Sequence, residues 1–121
     1  MAFLELAQDC DDSIKDAFEK LIRFEKRVTR GVGALTTALN SAEKGDTVAF
    51  ERISVMKEDL MKAYKVFQTQ LDKSISVFDE NCKPEDDDNI YVELTNANEK
   101  VGVEYATAIS LYDQVKPVPL T

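Results

Sequence analysis

One apolar stripe, stepping by three or four residues, runs through the first third of this 121-residue chain. It reads Leu4, Ala7, Asp11, Ile14, Phe18, Leu21, Glu25, Val28, Val32, Leu35, Leu39 and Ala42, with ten of the twelve positions apolar. Such steps average close to one helical turn, so the stripe stays on one face of a long helix. A strand, whose side chains alternate with period two, cannot present it. An exposed apolar seam of this length must be covered, and the natural cover is another helix with the same rhythm.

The rest of the chain supplies two such helices. The second seam is Ala49, Ile53, Met56, Leu60, Ala63 and Phe67, then Leu71, Ile75 and Phe78 after a small phase shift. The third is Tyr91, Leu94, Asn98, Val101, Tyr105, Ala108, Tyr112 and Val115. Gly45-Asp46 separates the first two, glycine suiting the residue after a helix and aspartate the cap of the next. Asn81-Cys82-Lys83-Pro84 closes the second, because proline disfavours helix in the residue before it. Asp88 or Asn89 can cap the third, and Pro117 and Pro119 stop it.

Helices are therefore expected over residues 3–43, 47–80 and 89–115. Short connections favour antiparallel neighbours. The expected fold is all-α: an elongated antiparallel three-helix bundle with coiled-coil-like packing over 1–116, and a proline-containing tail or linker stub over 117–121. Gly31 and Gly33 each weaken the first helix by about 1 kcal/mol relative to alanine, which predicts a kink there. Asp11-Asp12-Ser13 offers a cap for a helix starting later than residue 3.

Charge narrows the partners. The net charge of −8 opposes general binding to nucleic acid or anionic lipid. There is no apolar run long enough for a membrane span. The opening Met1-Ala2-Phe3-Leu4-Glu5 lacks the basic and apolar regions of a signal peptide. Two cysteines without a secretory signal read as reduced thiols, and the expected location is cytoplasmic. If residues level across the first turn have numbers summing to about 91, Cys10 lies beside position 81, close to Cys82. A disulfide is sterically conceivable, and the reducing compartment opposes it.

Little in the chain suggests catalysis. Histidine is absent, which removes the commonest general base and metal ligand. The acidic run Glu85-Asp86-Asp87-Asp88 lacks the glycine and the terminal glutamate of a calcium loop. Tyr91, Tyr105 and Tyr112 share a helical stripe and read as core. Asp11 and Glu25 interrupt the first seam, either as polar groups that set register or as positions open to water. No enzyme, catalytic residue, cofactor or metal is expected.

Two surfaces stand out instead. If the third helix falls short of the Gly45 end, Leu39, Val48 and Phe50 are left less covered there and form a candidate interaction tip. Lys20, Arg23, Lys26, Arg27 and Arg30 form a basic flank beside the first seam. That flank can meet RNA, an acidic membrane or another subunit, or can be a solvated face paired with Glu19 and Glu25.

Three stretches resemble a known family. They are Lys26-Arg27-Val28-Thr29-Arg30 through Leu35-Thr36-Thr37-Ala38-Leu39-Asn40, then Leu60-Met61-Lys62-Ala63-Tyr64-Lys65-Val66-Phe67-Gln68-Thr69-Gln70-Leu71, and Glu85-Asp86-Asp87-Asp88 followed by Tyr91-Val92-Glu93-Leu94. In this order they resemble the N-terminal region of the Gag polyprotein of BEL/Pao-type LTR retrotransposons, over about residues 20 to 115. The resemblance implies a particle-assembly role through protein contacts and transfers no catalytic residue. The zinc-knuckle cysteines, protease and polymerase of a full polyprotein are not in this sequence. The expected function is a non-enzymatic, self-associating assembly module. The alternatives are an adaptor for a partner protein's helix and a basic-stripe binder of RNA or a membrane surface.

Overall fold

The computed structural model describes residues 10–41, 47–82 and 89–115. Three helices follow one another, α1 (Asp12–Ser41), α2 (Thr47–Asn81) and α3 (Asn89–Val115), and they pack together as an all-α three-helix bundle. At 1.5 Å per residue they measure about 45, 52 and 40 Å.

α1 does not run unbroken from residue 3. Cys10 lies in a bend and Asp11 lies outside the helix. The Asp11 carboxylate accepts the Ser13 backbone N–H at 3.0 Å and the Ser13 hydroxyl at 2.8 Å. Its carbonyl accepts from the backbone N–H groups of Ile14 and Lys15. Asp11 is thus the cap, because a short carboxylate can satisfy the amides that a helix start leaves open. The expected seam role of Asp11 gives way to this one. The expected extension of the first helix through residues 3–9 and 42–43, the Gly45-Asp46 boundary, the acidic run 85–88 and the tail 117–121 lie outside the described residues.

Contacts across the bundle give its directions. From one end of α2 to the other, Phe78 meets Tyr91, Tyr64 meets Tyr105 and Ser54 meets Tyr112, so α2 and α3 are antiparallel. Ala17 lies beside Gln70 and Ser74, and Gly31 beside Leu60, so α1 and α2 are antiparallel too. The core is a column of Ile14, Phe18, Leu21, Val28, Leu35 and Leu39 from α1, Ile53, Leu60, Phe67, Leu71 and Phe78 from α2, and Ile90, Leu94, Val101 and Ala108 from α3.

The helix pairs approach differently. α1 stays helical through both glycines, without a break at either. A Cβ on Gly31 would stand 3.0 Å from a Leu60 methyl, whereas one on Gly33 would meet nothing within 4 Å. Gly31 therefore serves close contact with α2. Farther along, Gln70 and the fully buried Ser74 both donate to the carbonyl of Ala17, at 3.0 and 3.2 Å. Between α2 and α3 the contact is aromatic and polar. Tyr64 and Tyr105 stack at 4.0 Å, and Gln68 donates to Asn98 at 2.8 Å. Asn98, the polar member of the third seam, thus finds a partner that limits register.

Candidate interaction surface

The expected tip is mostly closed. Leu39 and Phe50 are buried, and of the three only Val48, 64% exposed, faces solvent. The correction comes from α3, whose Tyr112 ring lies 5.7 Å from the Phe50 ring. The third helix reaches to within about one turn of the start of α2, so it covers Phe50 where a shorter helix would leave it bare. The tyrosine stripe belongs to the core at Tyr112 and packs against it at Tyr105, and departs from that reading only at Tyr91. Tyr112 is buried, Tyr105 is half-buried, and Tyr91 is exposed, its hydroxyl directed at the Asp79 carboxylate.

The basic flank is present on the surface. Lys20, Arg23, Lys26, Arg27 and Arg30 are all exposed. The Arg27 guanidinium sits over the Phe24 ring, 5.6 Å from its centre. The fold gives this flank a second wall. Lys20 and Phe24 from α1 line a groove of about 720 Å³ together with Lys62, Lys65, Val66, Thr69, Gln70 and Lys73 from α2. Four lysines converge on it, and no acidic side chain lines it. Sequence reading missed the α2 lysines because they stand on a different helix from the flank. The available signal was the spacing of 62, 65 and 73, which repeats one helical face.

A second groove, of about 300 Å³, lies farther along the same side. Its lining is Arg27, Gly31, Ala34, Met56, Asp59, Leu60 and Ala63. It exists partly because Gly31 and Ala34 present little side chain. α3 contributes no residue to either groove. The α1–α2 face is therefore a shallow trough, apolar at one end and cationic at the other.

Glu25 is the other notable group. It is buried, and its Oε2 has no hydrogen-bond partner. Burial pushes its carboxyl above the usual range, with Lys100 of α3 pulling the other way and Glu104 adding to the rise. Burial also raises the Tyr105 hydroxyl, with neighbouring Tyr64 adding to the effect. Cys10 and Cys82 are not joined in a disulfide, Cys10 being buried and Cys82 exposed. Among the described residues no group of three or more Cys, Asp or Glu side chains is placed to hold a metal ion. No described helix is long and apolar enough to cross a membrane.

No family model matches the chain, and no curated protein and no solved structure matches it. The likeness to Gag N-terminal regions stands on the motifs alone.

Proposed function

We propose that this chain is a non-enzymatic helical assembly module that works by contact between its surface and other protein, self-association foremost. One observation carries the reading: the α1–α2 face is left open by α3 along two successive grooves. An open trough adds no stability to the bundle, and such concave surfaces are where helices and protein edges dock. The Gag resemblance supports the same class of role, since that region of the polyprotein acts through protein contacts. In this reading the module works in the cytosol, where Cys10 and Cys82 remain thiols.

Sedimentation velocity and native mass spectrometry, from micromolar to near-millimolar chain, test it. Association that grows with concentration and weakens when Ala34 is replaced by Trp is the expected result. A strict monomer throughout would remove self-assembly and favour the adaptor reading, in which the same trough takes a partner's helix.

A further inference from the structure

The charges on α1 and α2 are separated along the bundle. At the end where α1 starts and α2 finishes, Asp11, Asp12, Asp16, Glu19, Asp79 and Glu80 are all exposed, with Lys15 the one cation on those two stretches. Beside it and running on from it lies a cationic waist of Lys20, Arg23, Lys26, Arg27 and Arg30 on α1 and Lys62, Lys65 and Lys73 on α2, with Lys73 level with Ala17 and the others farther along. These eight are more than half of the chain's 15 cationic side chains. The acids inside the two stretches are buried Glu25 and exposed Asp72. The groove with its four lysines is the concave part of this waist.

A rigid helix cannot bring its own first turns onto its middle. Asp16 and Lys26 are about 15 Å apart along α1. Within one chain the attraction can be met only at the boundary, where Asp16 and Lys20, and Glu19 and Arg23, lie one turn apart, and the rest of the waist is left for another molecule. We propose that the acidic end of one copy, built around Asp12, Asp16 and Glu80, docks into the cationic α1–α2 groove of a second copy. This rests on the assembly reading and names the surfaces that meet. The two surfaces differ, so each docked copy still offers a free end or a free groove. The contact is heterologous, so it propagates into an open chain of copies unless the rotation between copies closes it into a ring or a reciprocal pair.

A second copy fits better than nucleic acid. At long range the net charge of −8 repels a polyanion and a second copy alike, so the choice turns on the local chemistry of the groove. Phe24, the aromatic ring of the groove, carries the Arg27 guanidinium, so it is not open for base stacking. An acidic protein surface needs no free aromatic, and this chain carries one of its own.

Neutralised variants test the docking. One is Lys62→Gln/Lys65→Gln/Lys73→Gln, which keeps the acidic end. The other is Asp12→Asn/Asp16→Asn/Glu80→Gln, which keeps the groove. All six side chains are exposed, and circular dichroism confirms that each variant folds. By sedimentation velocity at low salt, wild type should form a ladder of oligomers, and each variant alone should associate at least tenfold more weakly. Mixed together, the two variants should form a one-to-one dimer and stop there. Raising NaCl from about 50 to about 500 mM should weaken both assemblies at least tenfold, because the contact is screened. Oligomers that persist in both variants would overturn the docking and leave the assembly reading standing. A strictly monomeric wild type would overturn both. Association that appears only on adding an oligouridylate RNA, and depends on the three lysines, would place nucleic acid in the groove instead.

Discussion

The hydroxyl of Tyr112, near the end of α3, lies 2.8 Å from the hydroxyl of Ser54 on α2. The same tyrosine ring packs against Phe50 and carries the Lys57 ammonium 4.5 Å from its centre. One residue thus closes this end of the bundle by hydrogen bond, ring packing and cation–π contact. Tyr112→Phe should lower stability by about 1 kcal/mol, the usual net worth of one such bond. Tyr112→Ala should cost about 3 kcal/mol and expose Phe50. Urea titration of the two variants, with Ser54→Ala to complete a double-mutant cycle, measures the split. Additive effects of Tyr112→Phe and Ser54→Ala would show that the hydroxyl pair contributes nothing.

The two α1 glycines should respond in opposite ways to the same change. Gly33→Ala meets open space and should gain up to about 1 kcal/mol from helix propensity. Gly31→Ala gains the same propensity but presses a Cβ against the buried Leu60 side chain at 3.0 Å. Overpacking a tight helix contact costs about 1–3 kcal/mol. Gly31→Ala should therefore come out less stable than Gly33→Ala by at least about 1 kcal/mol. Equal midpoints in chemical denaturation would mean that α1 and α2 move apart freely.

Glu25 predicts a pH dependence. Its folded carboxyl titrates above the unfolded value of 4.5, so the folded state binds the proton more readily. The resulting stabilisation is complete below pH 4.5 and is lost as pH rises through the folded value. Burial leads this shift, Lys100 and Lys26 oppose it, and Glu104 adds to it. Glu25→Gln should accordingly be the more stable protein at pH 7, by about 1 kcal/mol given one unsatisfied buried oxygen. The advantage should shrink as pH falls toward 4.5. Thermal melts of both proteins across that window test it, and an advantage that holds constant with pH would be the failing result.

Ser74 is the smallest of the buried polar side chains and has no exposure. Ser74→Val adds bulk where α2 meets the Ala17 carbonyl and should cost about 2 kcal/mol. Ser74→Ala removes only the hydroxyl and should cost about 1 kcal/mol or less, because Gln70 still donates to the same carbonyl. Guanidinium unfolding ranks the two, and because both variants lose the hydroxyl, the reverse order would show that the site has room for the added methyls.

The all-α class was legible because Ile14, Phe18, Leu21, Val28, Leu35 and Leu39 repeat at helical spacing and have no alternative period. Leu60, Phe67, Leu71 and Phe78 carry the same information in α2. Gln70 and Ser74 were not legible as buried residues. Polarity argues for the surface, and only a carbonyl on a neighbouring helix makes their burial affordable. Tyr91 failed in the other direction, since its helical phase matched the seam while its ring sits at the edge against Phe78. The basic flank was readable as a stripe on one helix, but the groove was not.

Local chemistry, then, decided what each segment of this protein is. Periodicity made the helices, the Asp11 carboxylate suited a cap, and the absence of histidine removed the commonest catalytic base. Those properties act over one or two turns, and residue order specifies them completely. Tertiary packing decided what the segments do to one another. It brought α3 far enough along α2 for Tyr112 to cover Phe50, left the α1–α2 face open, and set Lys20 across from Lys62, Lys65 and Lys73. Contacts between residues some fifty positions apart depend on how helices sit side by side. No short stretch of sequence carries that information.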